Sequence, residues 1–205
     1  METFGTITGR LAPIPAANVD TDVIMPKAFL KGIDRSGLAL GLFHDLRFDE
    51  TGAPRPGFAL NLYHAGEVRF LVVGPNFGCG SSREHAVWGF LEYGVRAIIG
   101  TSFGAIFADN AANNGLLLIT LDPIAVAALM GEAEAGLGVI TVDLVQNRVE
   151  AGPASTAFAI DPMVRRMMMT GSDRIEETLR VLEQIRAFQR DYLADHPWLA
   201  DEPAS

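Results

Sequence analysis

The 205-residue chain has a single cysteine, Cys79. That excludes an intrachain disulfide and a zinc site built on several cysteines. It also excludes an iron–sulfur cluster held by this chain alone, since such clusters are normally ligated by several thiolates. Cysteine scarcity fits a reducing compartment. Basic residues are in short supply too: 16 Lys and Arg stand against 25 Asp and Glu, a formal net charge of −9. A surface that acidic repels phosphate backbones and anionic headgroups, which argues against nucleic-acid binding and membrane docking. No apolar run reaches the roughly 18 residues of a membrane span, and the stretch from Ile124 to Met130 is among the longest. The opening Met1-Glu2-Thr3-Phe4-Gly5 lacks the basic and apolar regions of a signal peptide. The expectation is a soluble, cytoplasmic protein.

What is present suits a packed core. Hydrophobic residues make up 49% of the chain and charged residues 20%. A chain of this size removes roughly 70% of its unfolded surface from water, and its length suits one domain or one domain with an appendage. Residues 4–14 read as an early strand, and Asn18-Val19-Asp20-Thr21-Asp22 as a polar turn. Pro26 to Gly37 reads as a loop around a short helix, and 44–57, with its charges and prolines, as an exposed excursion. Phe58–Leu62 and Val68–Val73 read as strands, the second apolar throughout as in a buried parallel strand. Arg96–Gly100 and Leu116–Thr120 read as further short strands. Ser102 is placed to cap a helix through Asn110, and Asn113-Asn114-Gly115 to form a turn. Asp122-Pro123 and Asp161-Pro162 each look like an N-cap followed by proline at the first helical position. Strands alternating with helices imply an α/β fold. Antiparallel hairpins are expected over 139–160, so the sheet should be mixed.

From Asp173 the pattern changes. Ile175, Leu179, Leu182, Ile185, Phe188 and Tyr192 recur at helical spacing, Asp173 and Glu176 form a capping box, and Glu176 and Arg180 stand at i,i+4. The reading is one long amphipathic helix. The chain therefore divides into a domain over 1–170 and a helical extension over 171–205 that packs on it.

The segment with chemical character is Gly78-Cys79-Gly80-Ser81-Ser82-Arg83-Glu84-His85. A strand ends, a glycine loop lets backbone approach a ligand, and a helix begins, burying Val87, Phe90 and Leu91 and stopping at Gly94. Free N–H groups and the positive dipole end make such a helix start an anion site. Arg83 adds a planar fork suited to a carboxylate, and Ser81 and Ser82 add hydroxyls. Read blandly, Ser81 is only an N-cap in a capping box with Glu84. The phosphate-loop motif fails because no lysine follows Gly80, and the dinucleotide fingerprint fails because Arg83 stands where a third glycine belongs. Cys79 reads as a small buried apolar residue rather than a nucleophile. No partner residues mark His85 as a metal ligand.

The run Asn76-Phe77-Gly78-Cys79-Gly80-Ser81-Ser82-Arg83-Glu84-His85-Ala86 resembles the signature of 3-isopropylmalate dehydratase small subunits, a family related to the swivelling C-terminal domain of aconitase. The stretch from Asn18 to Leu30 resembles that family's N-terminal motif. Ala105-Ile106-Phe107 with Asn110, Asn113-Asn114 and Leu116-Leu117 resembles its third block. The likeness runs from about residue 5 to 170. It implies a three-layer β/β/α swivelling domain. It also implies a large-subunit partner that carries a [4Fe–4S] cluster, with no cofactor on this chain. The implied reaction interconverts 2-isopropylmalate and 3-isopropylmalate through isopropylmaleate, in leucine biosynthesis.

The resemblance further implies roles. Ser81 matches the base that removes the substrate's carbon-bound proton, and Arg83 a carboxylate-binding arginine. Ser82 and the Gly80 amide would assist. Asp22 matches a site aspartate that orders an arginine or histidine across the subunit interface. Its plain reading, like that of Asp20, is turn formation. The loop Pro26 to Gly37 sits where the family recognises substrate, so Leu30 and Ile33 would meet the isopropyl group; the alternative for such residues is local packing. The chain departs from the family at 172–179, where charged helix replaces an apolar stretch, and at Val87 and Gly89, where Pro and Ala are usual. Two alternatives therefore stand beside this reading. One is the small subunit of a related hydro-lyase acting on citraconate, dimethylmaleate or a homoaconitate-like acid. The other is a non-catalytic anion-sensing module.

Overall fold

The early alternation becomes a nine-residue strand, β1 (Thr6–Ile14). In the computed structural model, which describes residues 1–30, 36–64, 66–80, 83–136 and 138–199, three short helices follow. They are α1 (Thr21–Ile24), α2 (Leu38–Gly41) and α3 (His44–Arg47). Then come β2 (Val68–Val73), α4 (Glu84–Tyr93), β3 (Ala97–Gly100), α5 (Ala105–Asn114), β4 (Leu117–Thr120) and α6 (Pro123–Glu134). The second half holds β5 (Val139–Asp143), β6 (Arg148–Ala151), β7 (Ala154–Ala157) and α7 (Pro162–Thr170). It ends in α8 (Arg174–Leu179) and α9 (Leu182–Asp195). Asp122 and Asp161 cap α6 and α7 as their Asp-Pro dipeptides predict, each carboxylate accepting from two backbone amides.

The seven strands form one mixed sheet in the order β4-β3-β2-β1-β5-β6-β7. β1 to β4 pair in parallel, and β5, β6 and β7 add to β1 as an antiparallel run. A bulge lies between β1 and β2: Arg10 pairs with Val68 but Leu11 with Phe70, so Arg69 has no partner position. The extra residue inverts the alternation beyond it. Val68 therefore shares a face with Leu71 and Val73, while Phe70 and Val72 point the other way.

Two cores result. One lies under α4 and α5 and contains Val87, Phe90, Phe107 and Ala111 with Leu71, Val73 and Ile98. The other unites Phe70, Val72, Ile99 and Ile119 of the parallel half with Ile140, Val142 and Val149 of the antiparallel half, closed by α6 and Met168. The curled sheet thus packs on itself and on a helical layer, the β/β/α arrangement expected. Apolar side chains from both strand sets and from helices α1, α2 and α4–α7 are removed from water, each large one contributing about 1.5–3 kcal/mol when fully buried.

Several local readings need correction. Residues 58–62 do not form a strand; Ala59–Asn61 is a 3-10 turn. Its Leu60 carbonyl accepts from the Tyr93 hydroxyl at 2.7 Å, and the Asn61 amide donates to the carbonyls of Arg47 and Arg55. The amides of Asn61 and Leu62 bond back to the carbonyls of Phe58 and Ala59, so the groups a strand would pair are used within the turn. The excursion 44–57 is not wholly exposed, because Arg47 is buried and donates to the Ala39 and Leu42 carbonyls and to Asn61. Burial holds its pKa below the usual arginine value, with Tyr93 opposing. Ser102 does not cap α5; Gly104 does, and Asn113 and Asn114 belong to the last turn before a left-handed Gly115. Leu91 is only partly buried, while Ala86, Gly89 and Tyr93 are buried beside Val87 and Phe90.

The C-terminal helix is not continuous. The capping box at Asp173 and Glu176 is present, but α8 ends at Leu179 and α9 starts at Leu182. Glu177 explains the break: it is buried against α7, accepts from Ser172 Oγ at 2.7 Å and pairs with Arg166. Arg180 turns to Glu177 at 3.3 Å, not to Glu176. An inward-facing carboxylate pins α8, and the helix is interrupted at Arg180 and Val181 before α9 begins. No residue of α9 is buried, and Ile185, Phe188 and Tyr192 stand exposed.

Candidate active site

The glycine-rich loop lies beyond the carboxyl end of β2, held between extensions of its two neighbours. On one side Asn18 N donates to Pro75 O (2.9 Å), Gly78 N to Val19 O (2.8 Å) and Thr21 N to Cys79 O (3.0 Å). On the other, Phe77 N donates to Ser102 O (3.2 Å) and Gly104 N to Phe77 O (2.8 Å). The carboxyl edge of parallel strands is where open α/β sheets bind ligands. Ser102 serves here rather than at a helix: its hydroxyl accepts from Asn76 N at 2.8 Å. Gly78 has φ +73°, and a side chain there would run into the Phe107 ring. Gly80, at φ +92°, places its backbone beside Asp20 and Thr21. Both positions require glycine, and both leave the loop's polar backbone at the surface of the first core.

Ser81, Ser82 and Ile33 lie outside the described residues. What the structure places is the frame around the two serines, Gly80 before them and Arg83 after. Helix α4 starts at Glu84 with Arg83 as its N-cap residue, and no side chain caps it. The Ser81–Glu84 capping box is therefore not the start of this helix. The Glu84 carboxylate is engaged elsewhere, accepting from the Asn114 amide at 2.7 Å while Asn114 Oδ1 accepts from Trp88 Nε1 at 2.9 Å. This chain of bonds ties α4 to α5. His85 is half-buried against the Trp88 ring, 4.8 Å between centroids.

Arg83 and Asp22 meet in an ion pair, the arginine side chain 12% exposed and the aspartate 51%. Arg83 Nη1 also donates to Met25 O at 3.4 Å. Both contacts with described residues fall on Nη1. Asp22 thus pairs with an arginine of its own chain. Sequence reasoning had both residues but not their contact, because nothing in a spacing of 61 positions reveals it. Asp20 acts locally: its carboxylate caps α1, accepting from Val23 N at 2.8 Å. Leu30 is partly buried and packs against the first core, and Cys79 is half-buried rather than sealed within it. Among the described residues, no group of three His, Cys, Asp or Glu side chains is arranged to hold a metal ion.

Comparisons with known proteins match this frame. The family model described as the aconitase C-terminal domain matches residues 1–123. The chain is 48% identical over 206 aligned positions to 3-isopropylmalate dehydratase small subunit 2 of Salmonella typhimurium, covering 100% of this chain and 99% of that protein. It is 46% identical to 3-isopropylmalate dehydratase small subunit 1 of Chromobacterium violaceum, covering 95% and 92%. The crystal structure of 3-isopropylmalate dehydratase from Methanocaldococcus jannaschii superposes with a TM-score of 0.64 at 26% identity, over 89% of this chain and 99% of that one.

Proposed function

The chain belongs to the aconitase C-terminal domain family and, within it, to the 3-isopropylmalate dehydratase small subunits. From that membership we propose that it is the half of a cytoplasmic hydro-lyase that grips a dicarboxylate at the start of α4. The reaction interconverts 2-isopropylmalate and 3-isopropylmalate through isopropylmaleate, in leucine biosynthesis. Water leaves, the alkene re-seats, and water returns at the neighbouring carbon. The observation that carries the reading is the Arg83–Asp22 pair beside the glycine loop.

Its chemistry follows from the frame. Asp22 and the Met25 carbonyl hold Nη1 of Arg83. The Nε–Nη2 edge then offers two parallel N–H donors to one substrate carboxylate. Ser81 removes the carbon-bound proton. A free serine hydroxyl is too weak an acid to supply such a base unaided. The amides at Gly80 and the start of α4, with Arg83, stabilise the alkoxide and the charge that develops on the carboxylate. Ser82 assists in holding the substrate. Leu30 and Ile33 meet the isopropyl group.

The partner is a large subunit, and one cysteine is too few for this chain to hold a cluster alone. The [4Fe–4S] cluster is assigned to that subunit, where it supplies a Lewis acid for the departing hydroxyl. We also retain the division into a domain over 1–170 and an extension over 171–205, joined through the Glu177–Arg166 pair to α7. The relatives' names place the enzyme subunit ahead of an anion sensor, which would need no base.

Reconstitution tests the proposal. The isolated chain is expected to be colourless, iron-free and inactive, and an anaerobically prepared large subunit to restore isopropylmalate dehydration. Stoichiometric iron or turnover in the isolated chain would overturn it.

A further inference from the structure

Arg83 is held in two places. Its backbone belongs to the start of α4, where its carbonyl accepts from Ala86 N at 3.1 Å. Its side chain is held by a different element. Asp22 pairs with Nη1, and the Met25 carbonyl accepts from the same nitrogen at 3.4 Å. Asp22 lies in the first turn of α1, and Met25 is the residue that ends that helix. The described partners of the guanidinium therefore all come from one helical turn.

That turn, Thr21–Ile24, closes on two bonds, from Ile24 N to Asp20 O (3.1 Å) and from Met25 N to Thr21 O (2.9 Å). So short a helix does not sustain itself, because nucleation fixes several residues in exchange for one bond. Its two ends are tied down. Thr21 and Ile24 are buried, Thr21 N donates to Cys79 O at 3.0 Å, and Phe43 N donates to Ile24 O at 2.8 Å. The middle is different, since Asp22 and Val23 are both exposed and packing does not hold them. What holds the middle is Asp20: its carboxylate accepts from Val23 N at 2.8 Å, the amide that directly follows Asp22.

We propose that Asp20 is a positioning residue for the carboxylate grip. By capping α1 at Val23 N it fixes the backbone on which Asp22 stands, and through Asp22 the direction in which the Arg83 fork points. Without the cap the ion pair joins an arginine to an aspartate on a frayed turn, and an ion pair between poorly fixed side chains contributes little. The fork then has to be ordered when the substrate binds, which costs affinity. Asp20 acts through α1 and Arg83 rather than on the substrate itself. This inference rests on the proposed reading of Arg83.

The test uses the enzyme reconstituted with its large subunit and 2-isopropylmalate as substrate. Asp20→Ala is expected to lower kcat/KM by about tenfold, through KM with kcat little changed, the scale of one hydrogen bond to a charged group. Asp20→Asn keeps an oxygen that can cap Val23 N and should retain kcat/KM within about twofold. Added to Arg83→Ala, where no fork remains to be aimed, Asp20→Ala should cost no more than about a further twofold. A full tenfold loss in that background would show that Asp20 acts elsewhere and overturn the inference. So would an unchanged KM with only a lower melting midpoint, or an Asp20→Asn loss equal to that of Asp20→Ala. If Arg83→Ala itself keeps wild-type kcat/KM, the reading of the site fails and takes the inference with it. Where Asp20→Ala does not fold, Asp20→Gly replaces it, because glycine is a tolerated N-cap that also lacks the carboxylate.

Discussion

Helices α4 and α9 have similarly regular apolar spacing and opposite fates. Five of the ten residues of α4 are buried, and none of the fourteen of α9. Phe90 sits in an aromatic cluster with Phe43, Phe77 and Phe107, its ring centroids 5.8–6.3 Å from theirs. Phe188, on the α9 stripe, stacks among the described residues only on Tyr192 of its own helix at 5.6 Å and is 68% exposed. Periodicity records that a helix has an apolar face. Whether that face finds a surface within the same chain is set by tertiary contacts, which hold α8 through Glu177 and bury no residue of α9.

The comparison breaks most sharply at the start of α4. Ser81→Ala in the reconstituted enzyme is expected to lower turnover by about 10²–10⁴-fold, the usual contribution of an acid–base group. Near-normal turnover would leave α4 a structural helix like any other. Arg83→Lys keeps the charge but not the fork. It is expected to weaken substrate or transition-state binding by about 1.5–3 kcal/mol, on every accepted dicarboxylate alike. Steady-state kinetics on two substrates measure this, and wild-type values on both would remove the main support for the site.

The next effect contrasts the two stripes directly. Phe90→Ala should cost the isolated chain about 3–5 kcal/mol, the range for emptying a buried phenylalanine site. Phe188→Ala should stay within about 0.5 kcal/mol, as expected for an exposed position. Urea unfolding of both variants decides it, and equal losses would mean that α9 packs on the domain after all.

Smaller effects test the caps. Asp122→Ala leaves the amides of Ile124 and Ala125 without their carboxylate acceptor and is expected to cost about 1 kcal/mol. The smallest effect concerns acid stability. The Asp49 carboxyl is held below the usual carboxylate range by the Thr51 hydroxyl and by the amides of Ala53 and Thr51. A depressed carboxyl stabilises the folded state above its unfolded pKa and loses that contribution as pH falls through the folded value. Asp49→Asn should therefore lower stability slightly in the neutral region, leave it little changed in acid, and so flatten the acid limb of the stability profile. A steeper acid limb in the variant would contradict the sign.

Some of this molecule follows from the sequence by itself. Strand β2, the Asp-Pro caps of α6 and α7, the stop at Gly94 and the capping box at Asp173 depend on residues within a few positions of one another, so short-range sterics and hydrogen bonds define them. The strand end before Gly78 and the helix start after Arg83 are legible for the same reason. The tertiary structure decided what depends on residues far apart. It turned 58–62 from a strand into a 3-10 turn, whose Leu60 carbonyl accepts from the distant Tyr93 hydroxyl and whose Asn61 side chain ties it to the carbonyls of Arg47 and Arg55. It buried Arg47 inside a segment whose composition reads as exposed. It also joined Asp22 to Arg83 and Glu92 to the amides of Gly37 and Ala39. A carboxylate has the same letter whether it meets water, a backbone amide or a guanidinium. Only the path of the folded chain brings its partner within bonding distance.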